Sequence, residues 1–284
     1  MGDSFFEVRE FHPCCDGELR FLRFPSVSLA SKTTVGLYLP PNARKKEKCP
    51  VIYCLSGLTS TYENFIVKAN VIRFAAQWGF ALVAPDTSPR QTAISDEDRD
   101  QDIGAGAGFY VDATAAPWAK YYRMAHFIGQ ELPTLLEEHF PLDPEKCGVM
   151  GHSMGGMGAL SLALRNPCKW KSVSAFAPIG NPASGEWGRK VTEFYFGGDS
   201  SQWEHYDPCL LLGQGRRHPA TILIDQGLKD EYWDRLRPEA LAAAIEQAAQ
   251  PAQLRLHESY DHSYWFVQSF IEDHIAHHAA ILGC

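Results

Sequence analysis

The segment Gly151-His152-Ser153-Met154-Gly155 has the spacing G-x-S-x-G. A serine set between glycines in this way sits on a turn too tight for side chains at the flanking positions, and its Oγ projects clear of the backbone. An alkyl hydroxyl does not ionise near neutral pH, so a nucleophilic serine needs a base, and the base needs an acid to orient it. On a strand–turn–helix elbow the partners follow in the order acid, then histidine. Of the eleven histidines, His262 in Tyr260-Asp261-His262-Ser263-Tyr264 lies between the last strand-like and the last helix-like segment, where the base belongs. His274, His277 and His278 fall on the final helix and read as a solvated polar face rather than a metal site. His257 falls inside a strand, His152 inside the elbow, and His12, His126, His139, His205 and His218 in no triad position. For the acid, Asp225 ends the strand Thr221-Ile222-Leu223-Ile224, and Asp230 follows just past Gly227. Asp230 is the stronger candidate, because a loop carboxylate can swing toward His262. Asp225, still near strand geometry, suits a cap or a hydrogen bond within the loop. Asp234 and Asp261 are weaker choices.

A tetrahedral oxyanion needs two N–H donors. Met154, first in the helix behind Ser153, offers one. The loop Leu55-Ser56-Gly57-Leu58-Thr59-Ser60 offers the other, through the Leu58 N–H after the turn at Gly57. Gly156 and Gly158 are expected to let the elbow helix pack close to neighbouring strands.

The elements that must position these residues are legible as a change of rhythm. Residues 5–11, 19–24 and 33–39 alternate apolar and polar, as half-buried strands do. From Val51 onward, short continuous apolar runs (51–55, 80–84, 147–150, 173–177, 221–224, 254–257) alternate with helical stretches (64–78, 121–140 with a kink at Pro133, 155–165, 238–249, 265–282). That alternation predicts an α/β fold: a mostly parallel sheet covered by helices on both faces, with the first strands as an antiparallel N-terminal edge. No repeat or linker divides the chain, so residues 1–284 read as a single domain. The long irregular segments 87–120 and 178–219 each leave a strand end, where the ligand sites of open α/β sheets are built.

Composition narrows the function. With 26 Lys+Arg against 34 Asp+Glu the formal net charge is −8, which disfavours a nucleic-acid partner. The one dense basic run, Arg44-Lys45-Lys46-Glu47-Lys48, reads as a solvated loop. No apolar run approaches the roughly 20 residues of a spanning helix, and Met1-Gly2-Asp3-Ser4-Phe5 does not have the form of a signal peptide. The eight cysteines are irregularly spaced, with no C-x-x-C pair, and read as free thiols of a cytoplasmic protein.

Six stretches together resemble the S-formylglutathione hydrolases, the esterase D family. They are Leu55-Ser56-Gly57-Leu58-Thr59, Gly106-Ala107-Gly108-Phe109-Tyr110-Val111-Asp112-Ala113-Thr114, Gly151-His152-Ser153-Met154-Gly155-Gly156, Phe176-Ala177-Pro178-Ile179, Ile224-Asp225-Gln226-Gly227 and Tyr260-Asp261-His262-Ser263-Tyr264. The resemblance implies an α/β-hydrolase fold and a serine thioesterase that converts S-formylglutathione to glutathione and formate, the second step of glutathione-dependent formaldehyde detoxification. It also implies a triad of Ser153, Asp230 and His262, no metal or organic cofactor, and a homodimer. The chain departs from the family at three places: Ser60 and Gly180 stand where the family usually has cysteine, and Met157 where it has histidine. The alternatives are a general carboxylesterase for short acyl esters, an acyltransferase on the same scaffold, and a non-catalytic binding protein, against which the intact triad speaks. The candidate loops show no basic cluster to receive the anionic glutathione.

Overall fold

In the computed structural model, which describes residues 5–45 and 47–283, nine strands form one sheet. They are β1 (Glu7–Cys14), β2 (Gly17–Ser26), β3 (Ser31–Leu39), β4 (Cys49–Leu55), β5 (Ala81–Pro85), β6 (Leu142–His152), β7 (Ser172–Phe176), β8 (Ile222–Gly227) and β9 (Ala252–His257). Their order across the sheet is β1-β2-β3-β5-β4-β6-β7-β8-β9. The pairs β1/β2, β2/β3 and β3/β5 are antiparallel, and every pair from β5/β4 to β8/β9 is parallel. The predicted antiparallel edge on a mostly parallel sheet is therefore present. Burial follows the sequence pattern. β1 is exposed along almost its whole length, β2 alternates, and β5, β7 and β8 are buried at every position. Lys46 of the basic run, and Met1–Ser4, lie outside the described residues.

The helices are α1 (Tyr62–Lys68), α2 (Val71–Trp78), α3 (Met124–His126), α4 (Leu132–His139), α5 (Met154–Arg165), α6 (Glu186–Phe194), α7 (Pro208–Gly213), α8 (Trp233–Leu236), α9 (Pro238–Gln247) and α10 (Tyr264–Leu282). α5 packs on β4, β6 and β7, while α10 packs on β6, β7 and β8 with α2 alongside. The predicted helix 64–78 is two: Asn70 enters the left-handed region at φ 55° and breaks it. The predicted helix 121–140 begins at Met124, and its irregularity is a π-helical turn at Phe127–Glu131 rather than a simple bend at Pro133. Proline has no N–H for the preceding turn, and the widened turn absorbs the missing bond.

The expectation for the α10 histidines is overturned as well. His274 and His278 are not on a solvated face: both are fully buried, and His277 is partly so. Ser172, Ser174 and Phe176 alternate along the α10 side of β7, and the histidines meet them. The His278 ring bridges Ser172 Oγ (2.6 Å) and Ser174 Oγ (3.0 Å), and His274 stacks on Phe176 at 3.6 Å. Burial pushes the pKa of each of these histidines down, so they pack as neutral aromatic rings.

Candidate active site

The strand order reverses around β4, which lies between β5 and β6, and such reversals place ligands at the carboxyl ends of the strands. Pairing of Leu55 with Gly151 sets the loop after β4 beside the elbow after β6. Ser153 sits at φ 59°, ψ −121°, a conformation an L-residue keeps only when its surroundings impose it. They do. The Ser153 N–H donates to the Phe176 carbonyl at 2.9 Å, and the Met157 N–H donates to the Ser153 carbonyl at 3.1 Å. The glycines are required by contact: a Cβ on Gly151 would lie 2.1 Å from the Gly155 carbonyl oxygen, and one on Gly155 would lie 2.0 Å from that of Leu55. Gly156 lets the helix approach Pro178, with the Gly151 carbonyl of β6 next at 3.3 Å from a would-be Cβ, whereas Gly158 admits the Tyr110 ring of a loop rather than a strand.

The loop that carries Leu58 is pressed against Ser153, since a Cβ on Gly57 would lie 3.0 Å from Ser153 Cβ. Long segment 87–120 clamps this loop from behind. Tyr110 donates to the Ser56 carbonyl (2.8 Å), the Thr59 N–H to the Gly106 carbonyl (2.9 Å), and Arg90 to the Ser60 carbonyl (2.8 Å). Arg90 is itself paired with buried Asp86. Burial raises the Asp86 pKa, an effect the Arg90 charge only partly offsets. Met154 opens α5, so its N–H is one of the first-turn donors with no acceptor inside the helix.

His262 and Asp230 meet. The His262 Nδ1–H donates to Asp230 Oδ2 at 2.7 Å. The carboxylate also accepts from Gln226 Nε2 (3.0 Å) and from the Tyr232 N–H (2.9 Å), so it is fully held before any ligand arrives. This leaves His262 Nε2 as the acceptor nitrogen. Ser153 and His262 line one cavity of about 270 Å³ without a hydrogen bond between them. In unliganded hydrolases such bonds are often long and close when substrate binds. His152 packs against His262 with ring centres 4.5 Å apart; burial, then the neighbouring His262, hold its pKa well down.

Asp225 has a different role from the loop contact expected of it. Its carboxylate is buried in β8, doubly bonded by Arg255 at 2.6 Å and 2.6 Å, with His274 at 3.3 Å. Burial alone would raise its pKa; Arg255 and His274 outweigh that and hold it well below the usual carboxylate range. Of the three departures from the family pattern, Ser60 lines the cavity, whereas Met157 is buried inside the fold. At Gly180 a Cβ would lie 2.7 Å from Leu241 Cβ, so Leu241 takes the room a cysteine would need.

The cavity walls include residues that sequence reasoning did not single out: Gln101 and Asp102 from segment 87–120, Trp187 from segment 178–219, and Tyr232 and Arg235 on the chain after Asp230. The two long segments therefore do line the site. Tyr232 and Arg235 carried no signal beyond proximity to Asp230. Among the described residues no group of three or more His, Cys, Asp or Glu side chains is placed to hold a metal ion, and no helix is long and apolar enough to cross a membrane.

A serine elbow at the end of a parallel strand, beside an aspartate-bonded histidine on a later loop, defines a hydrolase of the α/β-hydrolase class. The family described as Putative esterase matches residues 26–277. The S-formylglutathione hydrolase of Paracoccus denitrificans is 48% identical over 261 residues, 92% of each chain. That of Bos taurus is 47% identical over 272 residues, 95% of this chain and 96% of its own. The solved S-formylglutathione hydrolase of Agrobacterium tumefaciens superposes with a TM-score of 0.94 at 41% identity, covering 98% of this chain and all of that one. A ferulic acid esterase, 19% identical with a TM-score of 0.70, shares the fold. The chain belongs to the esterase family, in its S-formylglutathione hydrolase group.

Proposed function

We propose that this chain hydrolyses S-formylglutathione to glutathione and formate, the thioester-cleaving step of formaldehyde detoxification, with Ser153, His262 and Asp230 as its triad. The observation that carries the residue assignment is the His262–Asp230 bond of 2.7 Å in the cavity that Ser153 lines. The substrate is carried by relatives of that name at 46–48% identity over nearly the whole chain. In the reaction His262 Nε2 takes the Ser153 proton as Oγ bonds to the formyl carbon. Asp230 holds the tautomer and stabilises the imidazolium. The Leu58 and Met154 N–H groups receive the oxyanion, each worth on the order of 100- to 1000-fold in rate. The C–S bond then breaks, His262 returns its proton to the glutathione sulfur, and water activated by the same imidazole releases formate from the formyl-serine. This chemistry calls for no metal or organic cofactor.

The same reading takes residues 1–284 as one domain, the cytoplasm as its location and a homodimer as its assembly. Seven free cysteines among the described residues support a reducing compartment. Cell fractionation tests the location and sedimentation the assembly. The activity is tested by steady-state kinetics on S-formylglutathione beside p-nitrophenyl formate, acetate and butyrate. The expected result is a kcat/KM that falls with acyl length and favours the glutathione thioester at fixed acyl group. A flat acyl profile without preference for glutathione would make the chain a general carboxylesterase for short acyl esters.

A further inference from the structure

The formyl group occupies little of the cavity at Ser153, so most of a glutathione thioester must lie elsewhere. The cavity shares Gln101, Asp102 and Arg235 with a second one of about 760 Å³, so a tripeptide leaving the serine passes over these three side chains. Glutathione carries two carboxylates and one ammonium, and the wall it would cross is mixed in charge.

Part of that charge is already committed, and Arg99 lines the second cavity but not the one at Ser153. Lys190 Nζ bonds both Asp100 (3.0 Å) and Asp102 (2.8 Å), and Asp102 also accepts from the Trp187 indole N–H at 3.0 Å. Arg235 is different. One of its nitrogens, Nη2, meets Glu186 at 2.8 Å, with side chains 40% and 46% exposed, a rim pair of the kind worth little in water. Its guanidinium lies over the Trp187 ring, 5.2 Å from the centre, and that ring is held in turn by Asp102. The ring contact uses no N–H donor, and the one ion pair engages Nη2, so the guanidinium keeps donors to spare. That is the geometry that receives a carboxylate through two parallel bonds. Arg235 stands on α8, one turn beyond Tyr232, whose N–H bonds Asp230 and whose ring packs on His262. The cation and the acid Asp230 are thus carried by one short stretch of chain.

Resting on the proposed glutathione thioester activity, we propose that Arg235, stacked on Trp187 at the junction of the two cavities, binds a carboxylate of the glutathione leaving group. It is the contact through which the site prefers glutathione to neutral leaving groups. Lys190, tied to two aspartates, does not share in this.

The test is a cycle of substrates and variants. Wild type and Arg235→Gln are assayed on S-formylglutathione, on its glycine amide and on its γ-glutamyl α-carboxamide. Charged hydrogen bonds are worth about 1.5–3 kcal/mol, or roughly 10- to 150-fold. The expected result is a loss of kcat/KM of that size in Arg235→Gln on S-formylglutathione, residing mainly in KM. Wild type should lose the same factor with one of the two amides, Arg235→Gln should lose nothing further with that amide, and Arg235→Lys should recover part. Losses that simply multiply for both amides, in a variant whose thermal midpoint matches wild type, would overturn the assignment. A wild type that cleaves S-formyl-mercaptoethanol as well as S-formylglutathione would overturn the glutathione reading itself, and that result is visible without the variant.

Discussion

Asp225 lies near the end of β8 and Asp230 in the loop that leaves it, and their surroundings give them different work. Asp230 faces His262, while Asp225 faces Arg255 on the neighbouring strand. Asp230→Asn is expected to keep the thermal midpoint within a few degrees and to lower kcat by about 10⁴-fold, as an amide favours the wrong imidazole tautomer. Asp225→Asn leaves Arg255 short of its buried partner and should cost about 3–5 kcal/mol of stability with a far smaller loss of rate. Urea unfolding and kinetics on the same preparations check both; the reverse pattern would exchange the two assignments. Ser153→Ala should abolish labelling by a serine-directed fluorophosphonate while the protein still folds. Ser60 lies on the wall of a cavity that no cysteine among the described residues lines: Cys15 and Cys168 are exposed elsewhere, and burial pushes the Cys147 thiol up to about 12 and the Cys49 thiol up to about 11. Ser60→Cys should therefore make the esterase activity sensitive to N-ethylmaleimide, where wild type is not. At this scale the proposed triad could be picked out because each of its residues follows a strand end in the required order. Tyr232, Trp187 and Arg235 were not, because a pocket wall is set by tertiary approach and leaves no spacing in the sequence.

Elements matter here mainly through how closely they are brought together. The elbow works because α5 begins almost in contact with the loop after β4: a Cβ on Gly155 would lie 2.0 Å from the Leu55 carbonyl oxygen and 2.7 Å from that of Ser56. Those are backbone atoms of the strand that leads to Leu58, so Gly155→Ala must move the oxyanion loop or the serine. Activity should fall by at least 100-fold, the scale of one lost oxyanion donor, and stability with it. Gly213, at the end of α7, has nothing within 4 Å of its would-be Cβ and serves as the control; Gly213→Ala should be neutral or slightly stabilising. An equal effect at both positions, by thermal melting and p-nitrophenyl acetate turnover, would contradict the packing argument. The elements themselves were read well where period and burial agree, as in β4–β8 and α5. They were misread where one residue decides. Asn70 breaks a helix that the apolar period carries through, and the π-helical turn before Pro133 has no period of its own. The helices α6 and α7 sit in what reads as irregular chain, since short capped segments such as Asp207 with Pro208 look like turns.

Across the whole molecule, the histidines read as solvated on α10 turn into a pH liability. His152, His274 and His278 are buried beneath the site and the sheet, and burial depresses the pKa of all three; it brings His277 down to about 4. The sign follows from proton counting. Unfolded histidine binds a proton near pH 6.5, whereas these rings remain neutral in the folded chain, so the unfolded state takes up more protons as pH falls. Their contribution to stability is complete above about pH 6.5 and is lost progressively as pH falls through the folded values. For a ring such as His277 the slope is about 1.4 kcal/mol per pH unit per histidine across that window. Several such rings together could remove a large part of a net stability of about 5–15 kcal/mol between pH 7.5 and 5. Asp225 does not oppose this. Its pKa is lowered too, so its contribution holds until pH falls below the ordinary aspartate value near 3.9. The buried cysteines and tyrosines have raised pKa values and stay neutral throughout. Urea unfolding at pH 7.5, 6.5, 5.5 and 5.0 should thus show a midpoint that is level above pH 6.5 and falls steadily below it. His278→Gln, which keeps a hydrogen-bonding side chain between Ser172 and Ser174 but cannot titrate there, should be less stable than wild type at pH 7.5 and lose less on going to pH 5.0. A wild-type midpoint that stays level from pH 7.5 to 5.0 would mean that the rings can be protonated in the folded chain, and the neutral packing of α10 on β7 would have to be abandoned.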